Sequence, residues 1–302
     1  MVLVVVLGVA CALTAPHART PLSHTEVFLP AYAAATLINE VVTSVLIFAL
    51  YLVQPSRAVL ALGAGYLFAG LSVLPWAASF PGVFDALGFQ PGLQGTAFVA
   101  AIRRLSFPVF LIAYALLKDR PSDRLPGDGR APGKSILVSA ALVCGGTALL
   151  TWAAFMGDAW LPRLMQDTRN VAGLWEFVPP TALVLYALAG ALLWLRRRSV
   201  LDLWLLVVLV TLVIEILLLS YLAGGTRLSV GWWAGRLYGL VSASTVLAAL
   251  LVETTILYGR VARSVLQEHQ QRDARLSALE ALSAMIAHEV NQPIASMVTN
   301  AD

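Results

Sequence analysis

Long apolar runs separated by short polar connections dominate the chain. Seven of them, at about 29–52, 58–78, 97–117, 135–156, 179–195, 200–222 and 232–257, can cross roughly 30 Å of bilayer hydrocarbon as helices. Helix is the required form because lipid offers no partner to an unpaired backbone group, and no alternation of apolar and polar residues marks barrel strands. A shorter run, Val2 to Ala15, has fourteen residues and a helical rise of only about 21 Å. It is read as a first spanning helix. The alternative is a signal peptide with a small-residue site at Ala10-Cys11-Ala12, but the positive n-region of such peptides is missing.

Composition changes the picture only by excluding alternatives. Of 302 residues, 59% are hydrophobic and 12% charged, half the charge of an ordinary soluble domain. That rules out a disordered chain and gives no basis for nucleic-acid binding; the partner it implies is the lipid bilayer. Cys11 and Cys144 both fall in apolar runs, so neither a disulfide framework nor a cysteine metal site is expected. The outer pair His17 and His24, with only Glu26 nearby, is a poor metal site, and no metal is expected. No histidine lies in a span, which excludes a bis-histidine haem between helices.

Charge placement orients the chain. With the C-terminus in the cytoplasm, the inner connections carry Arg57, Lys118, Arg120, Arg124, Arg130, Lys134, Arg196, Arg197, Arg198, Arg260 and Arg263. The outer connections carry Arg19, Arg163, Arg169 and Arg227. This bias predicts a cytoplasmic C-terminus.

Ionisable residues at membrane depth are costly and face protein or water. Here they are Glu40 beside Asn39, the pair Arg103-Arg104, Glu215 and Arg236. Two readings stand side by side: a ligand or ion site lined by these residues, and structural pairing of Glu40 with Arg103 and of Glu215 with Arg236. Asp202 and Glu253 sit close enough to span ends to reach water. Pro75 and Pro108 are expected to kink their helices, and Trp160, Trp175, Trp232 and Trp233 to anchor at the interfaces.

From about Tyr258 the composition turns polar and charged without proline, as for a helix leaving the membrane. Spacings of three and four link Val265, His269, Arg272, Leu276, Leu279, Ser283, Ile286 and Val290 into a two-stranded seam, which suggests a parallel homodimer. His288 lies about 200° from Ile286 around the helix, off that seam. Glu289 follows it, and Pro293 removes the amide that would bond to the carbonyl of Glu289. An adjacent carboxylate can accept from one ring nitrogen and leave the other nucleophilic. By spacing alone, an exposed helical His-Glu pair without function fits equally well.

The stretch from Leu282 to Ala301, containing Ala287-His288-Glu289-Val290-Asn291-Gln292-Pro293, resembles the phosphoacceptor box of bacterial sensor histidine kinases of the His-Glu-x-Asn-Gln-Pro subclass. The resemblance implies that His288 is phosphorylated, that Glu289 assists proton removal, and that Gln292 holds the position linked to phosphatase activity. It implies ATP and Mg in the intact kinase, a homodimer, and a response regulator as partner. The membrane region resembles the membrane-associated sensor domain of the fourth type, found ahead of kinase and diguanylate cyclase modules. Phe28-Leu29-Pro30-Ala31-Tyr32 with Asn39-Glu40, Gly65-Tyr66-Leu67-Phe68, Phe80-Pro81-Gly82, and Phe107-Pro108 through Ala113 to Asp119 carry that likeness. The resemblance implies a bacterial inner-membrane protein.

The expected architecture is all-α: a polytopic bundle of seven or eight spans followed by a cytoplasmic signalling helix. Residues 1–257 form the membrane sensor, 258–277 a linker helix, and 278–302 the start of a dimerisation and phosphoacceptor domain. The 302 residues hold no cofactor site and no ATP-binding domain, so alone they are expected not to phosphorylate themselves. The rival classes are a transporter, opposed by the lack of a span repeat, and a non-enzymatic receptor.

Overall fold

The computed structural model describes residues 2–84, 92–118, 132–156, 160–171, 173–196 and 199–299, with the backbone alone at 2–4, 242, 257–258, 260–262, 280–281, 283–284 and 286–299. The helices run α1 Val2–Thr14, α2 Leu29–Val53, α3 Arg57–Leu71, α4 Val73–Ala78, α5 Gly95–Leu117, α6 Pro132–Met156, α7 Val178–Leu195, α8 Val200–Ile216 and α9 Val230–Thr299. There is no strand among the described residues, only the isolated bridges Pro21 to Ser229 and Met165 to Val171.

Seven helical segments among the described residues are long and apolar enough to cross a membrane: Glu26–Val53, Arg57–Ala78, Gly95–Leu117, Pro132–Met156, Gly173–Leu195, Val200–Leu222 and Val230–Ile256. They coincide with the seven long apolar runs; most begin a few residues earlier, and the sixth has the same bounds. The chain is a polytopic helical membrane protein. The first apolar run forms α1, whose 13 residues make about 20 Å of helix and which stands apart from these seven.

Local chemistry sets the ends of these helices. Ser56 caps α3 by accepting from the amide of Val59. Ser199 and Asp202 form a reciprocal capping box at the start of α8, satisfying two amides that a helix leaves open. Pro75 lacks the amide that would bond to the carbonyl of Leu71, and the second span accordingly breaks at Ser72 into α3 and α4. Pro108 is accommodated inside α5. The sixth span ends in a wider π-helical turn, Leu217–Leu222, in which the amide of Ala223 donates to the carbonyl of Leu218 at 2.8 Å.

The membrane unit, Met1–Leu251, is held by close helix packing. Its main core gathers Ile47, Leu62, Leu111, Leu193, Leu205 and Val246, with Ala58, Ala69, Ala115, Ala182 and Ala189 between them. Lipid provides little hydrophobic drive between helices, so small residues that permit close approach carry much of the association. Ser44 Oγ adds a buried bond to the carbonyl of Gly63 at 2.8 Å, joining α2 to α3. Outward-facing Leu137, Leu142, Val184 and Leu195 are exposed, as a lipid-facing surface requires.

One end of the bundle is closed by loops. Leu22 donates to the carbonyl of Leu228, Val230 to that of Thr20 and Gly231 to that of Ala18, so the chain entering α2 is stitched to the chain entering α9. The second unit begins at Val252 and is helical as far as Thr299. In it Val265, Leu276 and Leu279 of the expected seam are exposed, and so are Leu266, Leu282 and Met285 outside it.

Candidate functional site

Glu40 on α2, Arg103 and Arg104 on α5, Glu215 on α8 and Arg236 on α9 all line one cavity of about 110 Å³ inside the membrane unit. Five residues picked individually as expensive intramembrane charges thus share a single internal space. Asn39 does not line it. Its amide donates instead to Ser244 Oγ at 3.0 Å, tying α2 to α9.

The strongest contact is between Arg103 Nη2 and Glu40 Oε1, at 2.5 Å. Arg103 Nε also donates to the carbonyl of Ala69 at 3.0 Å, an acceptor in the last turn of α3 that Ser72 Oγ shares. The turn that precedes Pro75 therefore supplies part of the arginine's solvation. The other carboxylate oxygen, Glu40 Oε2, and the hydroxyl of Tyr66 are buried without a hydrogen-bond partner and sit at the same cavity.

Glu215 and Arg236 do not form the expected ion pair. The Arg236 guanidinium lies 4.1 Å from the ring centre of Trp232 and 4.4 Å from that of Trp76, with Tyr32 at 5.6 Å. Aromatic faces hold the cation electrostatically without a counter-ion. Trp232, expected as an interfacial anchor, is consequently a buried wall of this cage. Glu215 instead faces Gly239: a Cβ there would stand 2.8 Å from Glu215 Oε2. Gly231, Gly235 and Gly239 lie at four-residue spacing on α9, and Gly235 packs against Leu219. This small-residue repeat, legible in the sequence, brings α9 close to α8 and makes room for the carboxylate.

Arg104 donates weakly to Ser220 Oγ in the π-helical turn, at 3.4 Å, and its guanidinium lies 5.7 Å from the ring centre of Trp175. Tyr186 donates to the carbonyl of Arg104 at 3.4 Å. Three guanidinium groups thus meet two carboxylates around the cavity.

Asp202 departs from its expected place near water. It is 1% exposed, and its carboxylate accepts from Tyr114 Oη at 2.9 Å, Lys118 Nζ at 2.8 Å and the Ser199 amide at 3.0 Å. The reason is that α5 ends beside the start of α8, and Lys118 neutralises the buried carboxylate there.

His288, Glu289 and Gln292 fall on the backbone of α9, but their side chains lie outside what the structure describes. Residues missed by sequence reasoning are Tyr32, Tyr66, Trp76 and Gly239. The four-residue glycine spacing is a signal for Gly239; the aromatic residues are ordinary within a span, and only the tertiary arrangement turns them toward the charges.

Residues 23–258 match the model of a family described as membrane-associated sensor, integral membrane domain (MASE4). No curated protein matches the chain, and no solved structure does.

Proposed function

The chain belongs to the membrane-associated sensor family of integral membrane domains, and from that premise we propose that it is the input module of a two-component sensor histidine kinase. The membrane unit is a sensory module. In the reading proposed here its charged cavity changes state with the stimulus, and α9 passes the change to the phosphoacceptor His288.

The observation that carries this reading is the course of α9. The segment from Val230 to Thr299 contributes Arg236 and Gly239 to the cavity and bears the Ala287–Pro293 motif further along. A change in how Arg236 is held has a covalent path toward His288. A buried pair such as Glu40–Arg103 suits a two-state latch, because each partner alone is costly at membrane depth.

In the intact kinase, a ring nitrogen of His288 attacks the γ-phosphorus of Mg-bound ATP, ADP leaves, and Glu289 assists removal of the imidazole proton. The phosphoryl group then passes to an aspartate of a response regulator. Gln292 takes the position linked to phosphatase activity. Residues 1–257 serve as the sensor, 258–277 as the linker helix, and 278–302 as the beginning of the dimerisation domain. The exposed Val265, Leu276 and Leu279 support pairing as a homodimer. The excess of Lys and Arg in alternate connections supports a cytoplasmic C-terminus, and the likeness of Leu282 to Ala301 to bacterial kinases supports a bacterial inner-membrane location.

The test joins this chain to a complete histidine-kinase core and supplies labelled ATP. An acid-labile label that disappears with His288→Gln and survives His269→Gln is the expected result. Label retained after His288→Gln refutes the assignment.

A further inference from the structure

A second, smaller cavity of about 30 Å³ adjoins the first and shares Trp76, Ala100, Arg104 and Arg236 as walls. It opens toward the loop-covered end of the bundle, where Met165 and Val171 of one loop and Gly225 and Arg227 of another complete its lining. Three guanidinium groups line it, those of Arg104, Arg227 and Arg236, and among the described residues no Asp or Glu does.

These cations are held by aromatic faces. Arg236 lies against Trp76 and Trp232, Arg227 is 5.3 Å from the ring centre of Phe80, and Arg104 is 5.7 Å from that of Trp175. Stacking satisfies the flat face of a guanidinium and leaves its N–H edge unspent. Two such edges remain free: Arg227 Nη1 and Arg236 Nε are buried without a hydrogen-bond partner. The nearby carboxylate of Asp167 is committed to its own loop, accepting from the Arg169 and Asn170 amides at 2.7 Å each and from Asn170 Nδ2 at 2.8 Å. The backbone of Arg227 is fixed to that loop, its amide donating to the carbonyl of Arg169 at 2.9 Å.

Around the two adjoining cavities the guanidinium groups of Arg103, Arg104, Arg227 and Arg236 outnumber the carboxylates of Glu40 and Glu215, and the two unspent donors of Arg227 and Arg236 need an acceptor that carries negative charge. Water satisfies the donors but leaves the charge unbalanced. We propose that this arginine-walled cavity binds a small free anion, a halide or a short oxyanion, entering from the loop-covered end. The volume suits one such ion, since a single water needs at least about 10–15 Å³, and a larger occupant requires the adjoining cavity. Burial together with the neighbouring Arg236 pushes Arg227 down to about 9, so the site keeps its positive charge at neutral pH. The proposal does not depend on the kinase relay, because binding is measured on the chain itself.

The test is iodide quenching of tryptophan fluorescence, because Trp76, Trp175 and Trp232 surround the cavity. The full chain is purified in a neutral detergent with sodium gluconate as the only salt. Sodium iodide then replaces gluconate at constant ionic strength. A saturable component above the linear collisional slope is expected, displaced by chloride and absent with the neutral quencher acrylamide. Arg227→Gln and Arg104→Gln, each checked for native helicity by circular dichroism, should each raise the half-saturating concentration about tenfold. Strictly linear quenching of the unaltered chain overturns the proposal whatever the variants do. So does displacement of iodide by added phosphatidylglycerol but not by chloride, which assigns the site to a lipid headgroup. An unchanged half-saturation in both folded variants also overturns it.

Discussion

Removing either member of the Glu40–Arg103 pair should cost more than removing both would suggest. The two side chains are 13% and 24% exposed, and Arg103 Nη2 sits 2.5 Å from Glu40 Oε1. Breaking a buried pair from one side typically costs about 3–5 kcal/mol, because the surviving charge is stranded. Two features of the site lower that figure. With Glu40→Gln, Arg103 keeps the Ala69 carbonyl at 3.0 Å and still borders the cavity with Glu215. A loss of about 2–3 kcal/mol follows, near the insertion cost of one intramembrane charge. With Arg103→Gln, the stranded carboxyl can take up a proton, and from an ordinary value near 4.3 that caps the cost at pH 7 at about 4 kcal/mol. The double variant, with two glutamines able to bond to each other, should lose only about 2 kcal/mol, a coupling of up to about 4–5 kcal/mol. The assay is reversible unfolding in mixed micelles of increasing dodecyl sulfate content, followed by helical circular dichroism. Losses that add to within about 0.5 kcal/mol would refute the reasoning and place both charges in contact with water.

Three further outcomes follow from the packing. Asp202→Ala removes the acceptor of Lys118, Tyr114 and the Ser199 amide, and should cost about 3 kcal/mol in the same assay; a loss below about 1 kcal/mol contradicts the buried network. A Cβ at Gly95 would run into the carbonyl oxygen of Ala154, whereas one at Gly145 meets nothing within 4 Å. Gly95→Ala should therefore destabilise by about 1–3 kcal/mol and Gly145→Ala should be neutral or stabilise by up to about 1 kcal/mol, an order that equal effects would contradict. Arg227, facing Arg236 and Arg104 with no lining carboxylate, sits at about 9 in the fold, well below its value in the unfolded chain. The unfolded chain binds the extra proton between those values, so the penalty is fully present below 9 and is relieved as pH rises through it. Stability of the chain relative to Arg227→Gln should rise between about pH 8 and pH 10, and a flat difference contradicts the assignment.

The hydropathy pattern determines the spans because spanning helices must be long and apolar, and each of the seven long runs becomes one. Cost arguments also locate the cavity residues: a charge placed at membrane depth must be sheltered, and Glu40, Arg103, Arg104, Glu215 and Arg236 are sheltered together. Partner choice is a different matter. Arg236 is stacked on Trp76 and Trp232, one on α4 and one on its own helix, and tryptophans near span ends look the same in sequence whether they face lipid or a cation. Asp202 reads in sequence as a charge near a span end within reach of water; it caps α8, and the approach of Lys118 from the end of α5 buries it. Arg227 counts in sequence only as a loop charge for orientation, and nothing in its spacing reveals the buried wall it forms.

The central claim is that the state of the charged cavity governs chemistry at His288. Its most direct measurement is the initial rate of His288 labelling by ATP for the chain joined to a complete kinase core, in liposomes, with and without Glu40→Gln. The account predicts that Glu40→Gln shifts the rate by at least about threefold in either direction, while label stays confined to His288. A rate identical to that of the unaltered protein, in a variant shown to be folded, would contradict it.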